Sequence, residues 1–115
     1  MDIILADDDR DVLKSLRNFL EARNHTLRCA SDGIEARALL QDALPDLVIT
    51  DIHMPHMDGI ALLETIRKSH PALPVILITA YDDVDLEAVS ERFDATICFK
   101  KPVPLAPLLS ILNQL

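Results

Sequence analysis

Ile3-Ile4-Leu5-Ala6-Asp7-Asp8-Asp9 is an apolar run that stops abruptly in three carboxylates. A second apolar run, Leu47-Val48-Ile49-Thr50, stops just as abruptly in Asp51. Runs without polar alternation are what strands show when helices cover both faces of a parallel sheet. If both strands end on the same side, like charges are pressed together: two carboxylates ~5 Å apart repel by roughly 3 kcal/mol at an effective dielectric of about 20. Such a pocket calls for a cation, so the expectation is a divalent-metal site beside an aspartate placed to react.

Outward from these two runs, short apolar stretches alternate with stretches of helical period, the pattern of βα units. Asp2 to Ala6 is the first strand, and Asp9 can cap a helix carrying Val12, Leu13, Leu16, Phe19, Leu20 and Arg23, which Asn24 ends. Thr26 to Ala30 is a weaker strand with an exposed Arg28, expected at a sheet edge. Ser31 or Asp32 opens a helix carrying Ile34, Ala38, Leu39 and Leu40, stopped near Pro45. Asp46 to Asp51 is the third strand, followed by the loop His53 to Gly59 and a helix capped by Asp58. Val75 to Thr79 is the fourth strand, and Asp82 or Asp83 caps a helix with Leu86, Val89 and Phe93 inward. Ala95 to Lys100 is the fifth strand, and Pro104 and Pro107 fall in the first turn of a last helix carrying Leu105, Leu108, Leu109 and Leu112.

The 115 residues fit one domain, 1–115, with a single sheet at its centre. A net charge of -8 argues against a nucleic-acid or acidic-membrane surface. No apolar run approaches the ~20 residues of a membrane span, and no charged-then-apolar leader precedes the first strand, so a cytoplasmic location is expected. Cys29 and Cys98 have neither a CxxC nor a zinc spacing and read as free thiols.

In open parallel sheets, ligands gather at the carboxyl ends of the strands near the point where strand order reverses. Sorted by strand end, the first strand delivers Asp7 and Asp8, the third Asp51, the fourth Thr79 and the fifth Lys101. Oxygen ligands suit Mg²⁺, aspartate can accept a phosphoryl group covalently, and a lysine with a hydroxyl would offset charge spread over the transferring group. His53 and His56 share an HxxH spacing on a loop interrupted by Pro55, poorly suited to a transition metal, and solvent-facing tuning of a phosphoryl site is the reading for His53. Tyr81, two residues after Thr79, either shields that site or is an ordinary loop aromatic.

Together, Ile3 to Asp9, Asp46 to Gly59, Val75-Ile76-Leu77-Ile78-Thr79-Ala80 and Lys101-Pro102 resemble a response-regulator receiver domain of two-component signalling, in order and spacing along essentially the whole chain. The resemblance implies a flavodoxin-like (βα)5 fold with a parallel sheet of order 2-1-3-4-5 and helices on both faces. It implies that Asp51 is the phosphoacceptor, taking phosphate from a sensor histidine kinase or phosphotransfer protein. It further implies Mg²⁺ held by Asp8, by Asp7 mainly through water, by Asp51 and by the backbone carbonyl of His53. Lys101 would pair with Asp51 and then with its phosphate, and Thr79 would hydrogen-bond a phosphoryl oxygen. A cis Lys101–Pro102 bond, a downstream effector domain or protein, and a homodimer formed on phosphorylation belong to the same expectation. With that strand order, Cys29 and Cys98 lie on opposite edges roughly 19 Å apart, which excludes a disulfide between them.

The chain departs from the family where receivers carry Tyr or Phe three residues before the lysine: that position is Cys98, and Phe99 should point to the opposite face. Two alternatives follow. One is a degenerate receiver that acts as a phosphorylation-independent interaction module. The other is an aspartyl-phosphate hydrolase, a class that wants a second acid two residues after the nucleophile, where this chain has His53.

Overall fold

Alternation along each strand sends side chains to two separate cores, and that split sets the layer order. The computed structural model describes residues 1–81 and 85–115. Among them, strands β1 (Asp2–Ala6), β2 (Thr26–Ala30), β3 (Leu47–Asp51), β4 (Val75–Thr79) and β5 (Ile97–Lys100) alternate with helices α1 (Arg10–Glu21), α2 (Gly33–Asp42), α3 (Gly59–Ser69), α4 (Leu86–Phe93) and α5 (Leu105–Gln114). The sheet is parallel throughout, in the order β2-β1-β3-β4-β5. This is the flavodoxin-like arrangement expected from the sequence.

On one face, Ile4, Ala6, Val48, Val75, Leu77 and Cys98 pack with Ala36 of α2 and with Leu62, Leu63 and Ile66 of α3. On the other, Ile3, Leu5, Leu47, Ile49, Ile76, Ile78 and Phe99 pack with Leu16 and Leu20 of α1 and with Leu108 and Leu112 of α5. Phe99 and Cys98 therefore point to opposite faces, as strand alternation requires. Each fully buried aliphatic side chain contributes about 1.5–3 kcal/mol, so the two cores hold the sheet from both sides.

The register levels the functional ends. Ala6 pairs with Thr50, Asp51 with Ile78, and Thr79 with Lys100. The residues that follow these pairs emerge at one end of the sheet, where the order reverses between β1 and β3. Asp9, Asp32, Asp58 and Asp85 cap α1, α2, α3 and α4 by accepting from backbone N–H groups. The Lys101–Pro102 peptide is cis.

Several local expectations change. Ile34 is exposed, as is Ala38, while Ala36 faces the sheet. The cause lies across the chain: the Gly33 N–H donates to the Met57 carbonyl at 2.9 Å, seating the first turn of α2 against the next loop and setting its rotation. Arg28 is half-buried rather than exposed, and its guanidinium reaches Asp2 and the carbonyls of Leu39 and Ala43. Those carbonyls lie at the C-terminal end of α2, the negative pole of the helix dipole, which draws a cation. Leu105 is exposed because it starts α5, before the inward stripe begins.

The third strand starts at Leu47; just before it Asp46 holds Asp2 twice, its N–H donating to the Asp2 carbonyl and its carboxylate accepting from the Asp2 N–H, both at 2.7 Å. The fifth starts at Ile97, with Thr96 Oγ1 accepting from the Val75 N–H. The described cap of α4 is Asp85; Asp82 and Asp83 lie outside the described residues. Arg67, from the last turn of α3, donates to the Leu73 carbonyl at 2.7 Å and to the Asp94 carbonyl at 2.8 Å. Asp94 closes α4 with φ of 57° in the left-handed region.

Candidate functional site

Strand register places Asp7 beside Asp51, and the fold adds Asp8 and Lys101 to them. One oxygen from each of Asp7, Asp8 and Asp51 falls within a 4.8 Å cluster. Asp7 is 0% exposed and Asp51 is buried, whereas Asp8 faces solvent. The Lys101 ammonium donates to Asp51 Oδ2 at 2.9 Å and lies 2.6 Å from Asp7 Oδ2. That second contact is a close ion pair, so Asp7 Oδ2 is buried against the same ammonium that serves Asp51 and has no hydrogen-bond donor besides it. The other Asp7 oxygen, Oδ1, accepts from the Asp9 N–H at 2.9 Å.

The electrostatics follow from burial. Removing Asp7 from water pushes its carboxyl up to about 6, and the Asp51 charge adds to the rise, while Lys101 and the Asp9 N–H oppose it. Burial alone would lower Lys101, but its bonds to Asp7 and Asp51 outweigh that cost and raise it. With three carboxylates ionised against one ammonium, the cup carries two uncompensated negative charges. Hard oxygen donors with that surplus suit a small divalent cation, and the buried Asp7 Oδ2, which only shares the Lys101 ammonium with Asp51, is an atom such an ion would satisfy. The residues present fit the ion.

The cup opens through a cleft of about 330 Å³ lined by Asp8, Asp9, Asp51, His53, Ala80, Tyr81 and Lys101. The amide of His53 donates to Asp51 Oδ1 at 3.2 Å, an Asx-type turn that points the carboxylate. Thr79 ends β4 at the same sheet end and is fully buried; its Oγ1 accepts from the Tyr81 N–H at 3.2 Å. The rings of His53 and Tyr81 meet with centroids 4.2 Å apart at 57°.

His56 goes elsewhere: its Nδ1 lies 2.9 Å from Asp32 Oδ2, so the two histidines do not form a joint site. Asp32 is held below the usual carboxylate range by the Glu35 N–H first and by His56 second.

Sequence reasoning missed the two glycines. A Cβ on Gly59 would sit 2.0 Å from the Asp51 carbonyl oxygen, and one on Gly33 would sit 2.4 Å from that of Met57. Glycine is what allows α3 to start directly against the end of β3. The available signal was that both follow a capping aspartate, as Asp32-Gly33 and Asp58-Gly59.

Residues 3–113 match the family described as the response regulator receiver domain. A response regulator MprA from Mycobacterium sp. (strain KMS) is 34% identical over 98% of this chain and 49% of its own length. The chain thus spans about half the length of the curated relatives it matches. Among solved structures, a CheY-like receiver domain protein from Methanospirillum hungatei JF-1 has a TM-score of 0.88 at 28% identity, covering 98% of this chain and 90% of that one. The receiver domain of NtrX from Brucella abortus has a TM-score of 0.87 at 31% identity, covering 97% and 95%. With the acidic cup at the sheet's switch point and the family match over nearly every residue, this chain belongs to the response regulator receiver domains of two-component signalling.

Proposed function

We propose that Asp51 accepts a phosphoryl group from a phosphohistidine of a sensor kinase or phosphotransfer protein, and that its charge state switches the surface seen by a downstream effector. The observation that carries this reading is the double engagement of Lys101, which holds Asp51 Oδ2 at 2.9 Å while facing Asp7 at 2.6 Å. An ammonium shared in this way is poised to follow charge from the carboxylate to an incoming phosphoryl oxygen.

In the transfer, an Asp51 oxygen bonds to phosphorus as the phosphorus–nitrogen bond breaks. The electron pair of that bond stays on the imidazole nitrogen, and the ring, protonated at its other nitrogen, leaves neutral. The His53 N–H keeps the Asp51 carboxylate oriented, and Thr79 can turn its hydroxyl hydrogen toward a phosphoryl oxygen while its own oxygen still accepts from Tyr81. Asp7, Asp8, Asp51 and the His53 carbonyl would hold Mg²⁺, which when bound neutralises negative charge on the phosphoryl oxygens.

The assembled cup argues against a phosphorylation-independent module, and the absence of an acid two residues after Asp51 argues against a hydrolase. A cytoplasmic location agrees with this role; among the described residues no helix is long and apolar enough to cross a membrane. Incubation with Mg²⁺ and acetyl phosphate, followed by intact mass measurement, tests the reading. The wild type should gain one phosphoryl mass and Asp51→Asn none, with both folded by circular dichroism. A folded wild type that stays unmodified overturns it.

A further inference from the structure

His53 and Tyr81 stand out because each ring is tied to the site in the same way. The His53 amide donates to the side chain of the residue two before it, Asp51 Oδ1, at 3.2 Å. The Tyr81 amide donates to the side chain of the residue two before it, Thr79 Oγ1, also at 3.2 Å. Each ring therefore rides on a side chain that must rearrange when Asp51 changes its charge and shape. The rings meet across the cleft at 4.2 Å between centroids and join the β3–α3 connection to the chain after β4. Both side chains line the cleft, and Tyr81 is 53% exposed, so the pair reaches from the reactive carboxylate to the surface.

We infer that the His53–Tyr81 ring pair is the element of this chain that reports the state of Asp51 at its surface. The inference rests on Asp51 being the phosphoacceptor. A phosphoryl group on Asp51 alters the acceptor of the His53 amide and draws the Thr79 hydroxyl toward itself. The two amides follow their acceptors in different directions, and the ring contact is remade. An edge-to-face or tilted aromatic contact depends steeply on such offsets, so a small displacement of either amide alters the pair. Tyr81 then presents a different surface in each state. On the β5 face beneath α4 the strand itself carries the small thiol of Cys98 rather than a ring; the ring packed against that cluster, Phe93, closes α4 and is no part of the strand.

The chain makes the test direct, because it has one tyrosine and no tryptophan. Tyrosine emission reports Tyr81 alone. The 115-residue chain is treated with Mg²⁺ and acetyl phosphate while emission and intact mass are followed in the same samples. The expected result is an emission change that tracks the modified fraction and is lost in Asp51→Asn. In His53→Leu, emission per modified molecule should no longer change. A separate readout covers Tyr81→Leu, which removes the fluorophore. Phosphorylation-linked changes in amide exchange over α4, Leu86–Phe93, should appear in the wild type and be lost in this variant at equal modification. Full modification with unchanged emission overturns the inference and leaves the phosphoacceptor reading intact. Unaltered α4 exchange changes in modified Tyr81→Leu overturn it as well. No mass gain in folded wild type overturns the phosphoacceptor reading, and this inference falls with it.

Discussion

At Asp7, the site holds a charge that the fold alone does not satisfy. Its carboxyl is raised from 3.8 to about 6, so the native state binds this proton more tightly than the unfolded chain does. The resulting stability is complete below about pH 4 and is lost as pH rises through about 6. Near pH 7 the difference amounts to roughly 3 kcal/mol. In metal-free protein, the thermal midpoint should therefore fall between pH 5 and pH 7. Asp7→Asn should flatten that fall and raise the midpoint at pH 7, while weakening Mg²⁺ binding measured by calorimetric titration. A variant that is less stable than wild type at pH 7 without metal would count against the account.

The carboxylates and Lys101 were legible in the sequence because a strand end is marked by where apolar residues stop. The ring pair was legible only as two separate residues. Its geometry depends on backbone turns after β3 and β4, which a sequence pattern does not encode.

Among the elements, the helix starts carry the tightest tolerances. At Gly59 an added methyl would meet the Asp51 carbonyl at 2.0 Å, a backbone atom that cannot swing away. Gly59→Ala should cost about 1–3 kcal/mol in denaturant unfolding and slow phosphorylation as well, since the strain lands on the reactive strand end. Asp58→Ala, which removes the oxygen that accepts from the Ala61 N–H, should cost about 1 kcal/mol and alter the chemistry far less.

Strands β1, β2 and β4 have the bounds their apolar runs suggest. The inward face of α2 was not legible, because its first turn is seated by Gly33 against Met57, a contact between segments distant in sequence. Periodicity finds a helix; it cannot choose between Ala36 and Ala38 when a neighbouring loop decides which one fits.

For the molecule as a whole, parallel order puts Cys29 and Cys98 on opposite edge strands. Four strand spacings, ~19 Å, are far beyond disulfide reach. A reductant should leave the thermal midpoint unchanged. Cys98 is 4% exposed and its thiol is pushed up to about 11 by burial, so it should resist alkylation at pH 8 until the protein unfolds. Labelling counted by mass with and without denaturant checks this.

The Arg67 tether has a mechanical meaning for α4. That helix has no fully buried side chain, yet its C-terminal end is moored to the α3 side through the Asp94 carbonyl, at the end of the sheet opposite the acidic cup. A short rod pinned there has its fulcrum at Asp94. A displacement entering from the Asp51 side should then be widest at Leu86, and Arg67→Ala, which cuts the mooring, should free the Asp94 end as well.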